Sequence, residues 1–195
     1  MSIITLADDY IIRLVKEQDL SFILDIFNEC VLDQSTLLYY ETVTLDYIKE
    51  WYQLCHSKGY PAIVICNKIT DQPIAYAYLT SAYPYPVFNL TTMLAIYISS
   101  AHRRRGLGRV LVSELLNMAK EQKFKNVIAS TNTASVKLFE SFKFQYCGKM
   151  EYWAYNFGRF IDGLTFQYII QETNVQNQER PTFEPFQEES YKFIN

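Results

Sequence analysis

The sequence predicts a mixed α/β fold, in which hairpins and a strand–helix–strand passage contribute to one sheet. The first observation is the length of 195 residues with 49% hydrophobic side chains, which suits one domain with a buried core. The second is the alternation of short apolar runs with apolar stripes at helix spacing. The third is the order of these segments: strand, two helices, three strands, helix, strand, helix and two strands. Hairpins near the front and a strand–helix–strand passage in the middle indicate a mixed sheet.

The first part of the chain predicts one strand followed by two helices. Residues 10–15 form the strand, and the apolar positions after them repeat every three or four residues, as on a buried helix face. Thr44 is expected to cap the second helix, because a threonine hydroxyl accepts from a free N–H of the first turn. Gly59 is expected to end it in a left-handed conformation. The apolar face of the first helix comprises Leu20, Ile23, Leu24, Phe27 and Val31.

The middle of the chain predicts a hairpin, an aromatic loop and a further strand. Two apolar runs, residues 62–66 and 74–79, are joined through a Thr-Asp-Gln-Pro segment that favours a turn. Residues 81–89 combine tyrosines, prolines and a phenylalanine, so we expect an irregular loop there. Residues 91–99 predict the next strand.

The second half continues with a helix, a strand, a helix and two final strands. Apolar residues from Leu107 onward fall on one helical face. Residues 127–130 predict a short strand, and residues 132–142 predict a helix. The final strands are expected at 145–155 and 163–171.

The composition changes after residue 171, which divides the chain into a predicted domain, residues 10–171, and a C-terminal tail, residues 172–195. The tail is polar, and two prolines interrupt regular structure within it. It also carries four aromatic side chains, so we expect it to pack back on the domain. These are Phe183, Phe186, Tyr191 and Phe193.

Charge and composition exclude several classes of function. A net charge of −3 provides no global basic field, so nucleic acid is not an expected partner. The four cysteines form no C-x-x-C pair and no histidine cluster accompanies them, so no metal site is expected. No apolar run approaches the roughly 18 residues of a membrane helix, so no membrane partner is expected. The first residues lack the basic start of a signal peptide, and we expect a cytoplasmic protein.

One short segment carries the strongest functional signal. Residues 103–109, RRRGLGR, stand between a predicted strand and a predicted helix. Gly106 and Gly108 permit a tight turn and the close approach of a ligand. The helix directs free N–H groups and its positive dipole end toward the loop, which favours a phosphate, although a solvated basic turn is the alternative. Charged donors come from Arg103, Arg104, Arg105 and Arg109.

The spacing R-x-x-G-x-G, with residues 95–98 as the strand before it, resembles the acetyl-CoA pyrophosphate site of the GNAT superfamily of N-acetyltransferases. Residues 132–144, NTASVKLFESFKF, resemble the next helix of that superfamily, which flanks the cofactor arm. Within the superfamily, the chain is similar to the phosphinothricin N-acetyltransferase-like branch through segments such as 155–162, YNFGRFID. The resemblance covers about residues 10–171, and the tail lies outside it.

The resemblance implies a fold and a cosubstrate. The fold is a mostly antiparallel twisted sheet with a splayed parallel strand pair, flanked by about four helices. The cosubstrate is acetyl-CoA, whose pantetheine arm would pair with the strand before the loop, while the N–H of Ile96 would face the thioester oxygen. A helix N-cap is the alternative role for Asn132. The implied cofactor-binding residues are Ile96, Tyr97, Ile98, Arg103, Arg104, Arg105, Gly106, Leu107, Gly108, Arg109, Asn132 and Ser135.

The resemblance also implies direct transfer of an acetyl group to the amine of a small molecule through a tetrahedral intermediate, and it suggests a homodimer. Two protein groups usually assist, one removing the amine proton and one protonating the thiolate. The sequence departs from the family at both positions. Met93 stands where the branch carries a glutamate base, and Phe139 stands where many relatives carry a tyrosine acid. Lys143 replaces a usual glycine.

Substitute groups can be named for proton transfer and for acceptor binding. Glu41, Glu151 and Tyr97 are candidate bases, and a surface or structural carboxylate is the alternative for both glutamates. Glu41, Tyr83 and Tyr85 are candidates for binding the acceptor, although the two tyrosines alternatively only cover the sheet. An α-amino group with a pKa of about 7.7–8.0 would need little help from a base. Phosphinothricin itself is not expected, because its acidic groups require cationic partners.

Two functions of different classes remain open at this point. The first is an active acetyl-CoA-dependent N-acetyltransferase of small amines, favoured by the loop and by the order of elements. The second is a non-catalytic acyl-CoA-binding or regulatory protein on the same scaffold, favoured by Met93 and Phe139. The fold alone does not decide between them.

Overall fold

The computed structural model of the chain describes residues 6–34, 39–131, 135–170 and 182–194, which form seven strands and four α-helices in the predicted order. Strand and helix bounds differ from the predicted ones by a few residues. The last helix, predicted from residue 132, begins at Val136. Residues 132–134 lie outside the described part. The elements are β1 (Tyr10–Leu14), α1 (Leu20–Leu32), α2 (Leu45–Lys58), β2 (Ala62–Asn67), β3 (Pro73–Ser81), β4 (Thr91–Ile98), α3 (Leu107–Glu121), β5 (Asn126–Thr131), α4 (Val136–Ser141), β6 (Gln145–Asn156) and β7 (Arg159–Ile169).

The strands form one sheet in the order β1-β2-β3-β4-β5-β7-β6. The pair β4–β5 is parallel, because α3 carries the chain from the end of one strand back to the start of the next. The other five neighbouring pairs are antiparallel. The predicted mixed sheet, mostly antiparallel with one parallel pair, is therefore confirmed.

The parallel pair separates partway along its length. Strand β4 pairs with β5 only at its first three residues, where Met93 lies opposite Ile128. On its other edge, β4 stays paired with β3 as far as Ile98. Strand β5 pairs with β7 along its whole length, from Asn126 opposite Ile169 to Thr131 opposite Leu164. The result, within the described residues, is a wedge-shaped gap between the second half of β4 and the end of β5, which we call the splay gap.

Each face of the sheet is covered by a different pair of helices. Helices α3 and α4 bury one face around Leu111, Leu115 and Phe139, and Ile96 and Ile98 pack against this core. Helices α1 and α2 bury the other face. The aromatic side chains of Tyr76 and Tyr97 belong to that second core, with Tyr78 packed against it. Consecutive residues of β4 thus alternate between the two cores, as a strand requires.

The predicted ends of α2 are confirmed. The Thr44 hydroxyl accepts a hydrogen bond from the N–H of Tyr47 at 3.4 Å. Gly59 ends the helix with φ of +71°, a conformation that glycine adopts at little cost. A Cβ at this position would lie only 2.7 Å from Cβ of Pro185, so the residue also admits the tail.

The described part of the tail packs back on the domain, as its aromatic residues predicted. Phe183 stacks on Tyr60 and Phe124 at ring distances of 4.9 and 4.7 Å. The buried amide of Gln122 donates to the carbonyls of Gly59 and Glu184. Phe186, Tyr191 and Phe193 contact the core beneath α3.

A buried carboxylate anchors the end of the tail. Glu114 on α3 is fully buried. Its Oε2 accepts from the Tyr191 hydroxyl at 2.6 Å, and its Oε1 accepts from the N–H of Ile194 at 2.5 Å. Burial raises the pKa of Tyr191, so the phenol stays a neutral donor. Because these donors replace water around a buried charge, tail and domain stabilise each other.

Other classes of site are not supported by the described residues. None of their His, Cys, Asp and Glu side chains form a group of three or more able to hold a metal ion. None of their helices has the length and apolar character needed to cross a membrane. The thiols of Cys30, Cys55 and Cys66 are buried, whereas that of Cys147 is exposed.

We predict that Tyr191→Phe will destabilise the chain by about 1.5–3 kcal/mol, because it removes one of the donors to a buried carboxylate. The free energy of unfolding in urea measures the effect. Ser190→Ala is the matched control: its exposed hydroxyl only reaches the carbonyl of Gln187, so it should change stability by less than about 0.5 kcal/mol. Equal, small effects of both substitutions would contradict the role of Glu114 as the anchor.

Candidate functional site

The loop between β4 and α3 presents the start of a 15-residue helix. A short 3-10 turn, Ser100–His102, leads into the arginines. Arg104 and Gly106 both have positive φ, +63° and +83°, which reverses the chain before the helix begins. Among the described residues, nothing lies within 4 Å of where a Cβ on Gly106 would be. Open space therefore adjoins the start of α3, whose first N–H groups lack helical partners, an arrangement suited to a phosphate.

Gly108 lets α3 approach its neighbours closely. A Cβ on this residue would lie 3.3 Å from Leu138 Cδ2 on α4 and 3.6 Å from Ile98 Cδ1 on β4. The first turn of α3 consequently lies close to the open end of the splay gap.

The side chain of Arg103 contacts β4 and α1. Its Nε donates to the carbonyl of Ile98 at 3.0 Å, and one terminal nitrogen pairs with Asp33 at 2.6 Å. The other contacts the Cys30 sulfur at 3.4 Å. Arg103 thus connects the end of α1 to the end of β4, and its role as a cofactor ligand stays a prediction.

The other three arginines surround the helix start. Arg104 is exposed. Arg105 is also exposed and donates to the Tyr10 hydroxyl at 3.2 Å. Arg109, in the first turn of α3, donates to Ser141 at 2.8 Å and lies over the Phe142 ring at 5.4 Å. These three guanidinium groups can reach an anion at the N-terminus of α3.

The start of the loop is held by Glu29 of α1. Both of its carboxylate oxygens lie 3.2 Å from the N–H of Ser100, and the Ser100 hydroxyl also donates to it. Together with Arg103, this contact fixes the position of the loop relative to α1.

The hydrogen-bond phase of β4 determines which peptide groups border the splay gap. The N–H of Ser99 donates to the carbonyl of Ile74, so these residues form a hydrogen-bonded pair. Because such pairs alternate along an antiparallel ladder, the peptide groups of Tyr97 face β3. Those of Ile96 and Ile98 face the gap. Of the three residues predicted to contact the cofactor through their backbone, Ile96 and Ile98 therefore have peptide groups that border the gap, whereas those of Tyr97 face β3.

An aromatic surface lies beside the gap on the face covered by α1 and α2. The ring of Tyr97 stacks on Tyr76 at 4.8 Å and is parallel to Tyr78 at 6.5 Å. Phe27 of α1 contacts it at 5.3 Å, and Trp51 of α2 meets Tyr78 edge-on at 5.0 Å. Burial raises the pKa of Tyr76 and Tyr78 well above the ordinary value, so both phenols are neutral.

The rim of this surface joins the α1–α2 loop to the β6–β7 hairpin. The side-chain amide of Asn156 donates to the carbonyl of Tyr39 at 3.0 Å. The hydroxyl of Tyr40 donates to the carbonyl of Tyr155 at 2.7 Å. The hydroxyls of Tyr39 and Tyr47 share a hydrogen bond, and burial raises the pKa of Tyr39. Two segments far apart in sequence thus close around the same aromatic surface.

The two family positions for proton transfer are apolar in the structure. Met93 and Tyr97 are four residues apart on β4, and side chains alternate between the two faces of a strand. The Met93 side chain therefore lies on the same aromatic face as Tyr97, next to the gap. Phe139 is buried in the other core, with its ring 5.2 Å from Phe144 and 6.0 Å from Phe166. Neither residue can carry a proton.

The remaining candidate residues lie at the edges of the site. Glu41 is exposed in the α1–α2 loop. Glu151 lies in a bulge of β6, and its carboxylate is 3.4 Å from Lys149 Nζ. Tyr83 and Tyr85 are exposed in the loop before β4, at the opposite end of that strand from the arginines.

The helix after β5 is described only in part. Ser135 is half-buried directly before α4, at its N-cap position. Asn132 lies outside the described residues. The tyrosines Tyr76 and Tyr78 were not predicted as part of the site. They are two residues apart in β3, so their side chains share one face of the sheet, and Tyr76 lies opposite Tyr97 of β4. This alternation of tyrosines is the sequence pattern that could have identified them.

Comparison with known proteins adds to this geometry. Residues 21–144 match the family model described as the acetyltransferase (GNAT) family. The chain is 30% identical to an L-methionine sulfoximine/L-methionine sulfone acetyltransferase of Salmonella typhimurium, over 81% of this chain and 92% of the relative. It is 29% identical, over the same shares, to an L-amino acid N-acyltransferase of Escherichia coli. The solved structure of yncA from Salmonella typhimurium, described with its cofactor acetyl-CoA, has a TM-score of 0.78 at 27% identity, covering 85% of this chain and 96% of that chain.

We predict that Arg103→Ala will destabilise the chain by about 1–2 kcal/mol, because it removes a one-third-exposed ion pair and a hydrogen bond to Ile98. Thermal and urea unfolding measure this loss. Arg104→Ala is the control: its side chain is exposed, so the expected change is within about 0.5 kcal/mol. If the two variants unfold alike, Arg103 does not tie α1 to β4.

Proposed function

The chain belongs to the acetyltransferase (GNAT) family, and from that premise we propose how its residues perform the reaction. It is an acyl-CoA-dependent N-acyltransferase. The proposed reaction moves an acetyl group from acetyl-CoA to the amine of a small molecule. The observation that carries this proposal is the splay gap, whose open end lies beside the N-terminus of α3 and whose side borders an aromatic surface.

The loop is proposed to hold the pyrophosphate of acetyl-CoA. Open space adjoins the start of α3 at Gly106, and the first N–H groups of the helix supply donors to phosphate oxygens. Arg104, Arg105 and Arg109 add charge around that point. The relative yncA is described with acetyl-CoA, which supports this choice of ligand.

The pantetheine arm is proposed to lie in the splay gap like an added strand. The outward peptide groups of Ile96 and Ile98 have no strand partner on that side among the described residues, although the Ile98 carbonyl accepts from Arg103. Amides of the pantetheine would satisfy the others. Ser135, at the start of α4, and Asn132 are proposed to flank the arm.

The transfer step is proposed to be a direct attack. The neutral amine attacks the thioester carbonyl, and the N–H of Ile96 donates to the oxygen that becomes negative. A C–N bond forms, the C–S bond breaks, and its electrons leave on sulfur. The thiolate takes a proton from water, and the amine gives its proton to water.

Proton transfer by water is proposed because Met93 and Phe139 cannot serve. The carboxylates of Glu41 and Glu151 are both exposed, and Glu151 is next to Lys149, so neither is held at the gap. Positioning and oxyanion stabilisation remain, and they supply much of the rate in reactions of this kind. No observation favours the non-catalytic alternative over the enzyme.

The test of this function is release of free thiol from acetyl-CoA in the presence of a panel of small primary amines. Turnover above the rate without amine is expected for at least one of them. If acetyl-CoA binds and no amine is acetylated, the proposed function is wrong.

We predict that Arg105→Ala will weaken binding of acetyl-CoA about tenfold, because it removes a charged donor from the phosphate site. Isothermal titration at two salt concentrations measures the Kd, and the difference from wild type should shrink at high salt. Lys58→Ala removes a cation at the far end of α2 and is the matched control. An unchanged Kd for Arg105→Ala would remove this residue from the site.

We predict that kcat/KM of the wild type rises about tenfold per pH unit below the pKa of the free amine, because only the neutral amine attacks. Met93→Glu adds a carboxylate on the same face as Tyr97. It should raise kcat/KM near neutral pH about a hundredfold and flatten the profile. Met93→Gln has the same shape without a base, so it should keep the wild-type slope. A wild-type profile that is already flat would reveal a base in the chain itself.

A further inference from the structure

We infer that the acceptor is a primary amine with an aromatic or apolar body and no carboxylate, bound over Ala95 against the rings of Tyr78 and Tyr97. This inference rests on the proposed function and names the class of substrate. It differs from the curated relatives, whose names refer to L-amino acids and L-methionine derivatives.

The two faces of the sheet differ beside the gap. On the face of α3 and α4, the partly buried side chains of Ile96, Ile98 and Leu138 pack against the core that contains Phe139. Among the described residues, the gap is therefore bordered by packed apolar side chains on this face. On the opposite face, Tyr97 of β4 is part of the aromatic surface. We therefore place the approach of the amine on the face of α1 and α2.

The residue pattern on that face indicates a recess at Ala95. Strand alternation puts Met93, Ala95 and Tyr97 on the same face, and the middle one contributes only a methyl group. Ala95 is half-buried although β4 is the central strand of the sheet, so solvent reaches this position. Across the ladder, it lies directly opposite Tyr78. The recess is thus floored by a methyl group and walled by aromatic rings.

The walls suit a flat apolar body or an ammonium group. Tyr76, Tyr78 and Tyr97 form a set of parallel rings, inclined to one another by no more than 9°. Trp51 meets both Tyr76 and Tyr78 edge-on, which holds the rings in place. Aromatic rings attract other rings at such distances, and their faces attract cations.

The rim of the recess is open to solvent and aromatic as well. The side chains of Tyr40, Tyr47 and Tyr155 are exposed, although the first and last are joined by a hydrogen bond. A set of exposed aromatic side chains leading to a half-buried recess is unusual unless a ligand contacts it.

The segment that contains α1 on this side is acidic. Between Lys16 and Lys49 the sequence contains no lysine, arginine or histidine but seven acidic residues. Three of these acids form ion pairs, Asp33 with Arg103, Asp46 with Lys49 and Asp19 with Arg13, so these three cations are engaged. The seven acids are Glu17, Asp19, Asp25, Glu29, Asp33, Glu41 and Asp46.

These charges discriminate between two kinds of amine. A cationic amine is drawn toward the acidic segment and is stabilised by the rings. An α-amino acid brings a carboxylate that meets the like charges of this segment, which is expected to lower kcat/KM at least about tenfold. Arg159, at the tip of the β6–β7 hairpin opposite Asn156, is the cation to which such a carboxylate would have to turn.

The first experiment compares acceptors that differ only in the carboxylate. Initial rates of thiol release are measured with phenethylamine, phenylalanine and phenylalanine methyl ester, and kcat/KM is expressed per concentration of neutral amine because the three amines differ in pKa. We expect kcat/KM for phenethylamine to exceed that for phenylalanine at least about tenfold, and the ester to recover most of the difference. If phenylalanine is the equal or better substrate, the inference is wrong while the proposed function stands. If none of the three nor any other amine reacts, both are wrong.

The second experiment tests the wall of the recess. Tyr78→Leu removes the ring and should raise KM for phenethylamine about tenfold, with the Kd for acetyl-CoA unchanged. Tyr78→Phe keeps the ring and should restore the wild-type KM. Tyr152→Ala, an exposed aromatic on β6, is the matched control. An unchanged KM for Tyr78→Leu would overturn the assignment of the recess.

A third variant tests the competing cation. Arg159→Gln should leave kcat/KM for phenethylamine unchanged and should not alter its ratio to that for phenylalanine. A selective loss of phenylalanine acetylation in this variant would show that the chain does bind a carboxylate, and it would overturn the inference.

Discussion

The unpaired edge of β4 is the constraint on which the rest of this structure depends. A central strand normally has both edges paired, because buried peptide groups without partners are costly. Here β4 keeps β3 along its length but loses β5 after Met93. The Ile98 carbonyl accepts from Arg103, and the other outward peptide groups of Ile96 and Ile98 then require either water or a ligand. A sheet of seven strands tolerates this defect because the remaining pairs, and a core on each face, hold both sides of the gap.

The two sides of the gap are fixed by contacts between elements that are distant in sequence. Arg103 and Glu29 connect α1 to the loop that follows β4, and Gly108 allows α3 to lie close to Leu138 of α4. The tail adds a further support, since its donors surround the buried Glu114 of α3. The helix whose N-terminus is proposed to bind phosphate is therefore held from three directions, which favours a preorganised site.

Local sequence features predicted what local physics determines. The order of elements, the Thr44 cap, the Gly59 end and the position of the arginine loop all follow from periodicity and turn chemistry within a few residues. The contacts of Arg103 could not be predicted, because they depend on Asp33 in another element. The direction of the Tyr97 peptide groups could not be predicted either, because it depends on the register between β3 and β4. Lys143 adopts φ of +63° where relatives use glycine, so the backbone turn survives a residue that does not favour it.

The aromatic recess and the missing base are parts of the same problem. Transfer needs a neutral amine, and a scaffold with Met93 beside the gap cannot take the proton directly. The rings of Tyr78 and Tyr97 attract the ammonium form of the acceptor, and water then removes its proton before the attack. A carboxylate on the acceptor would take no part in that proton transfer and would meet the acidic segment. The proposed acceptor and the absence of a base at Met93 therefore concern the same step: the ring surface selects the amine, and water completes the proton transfer.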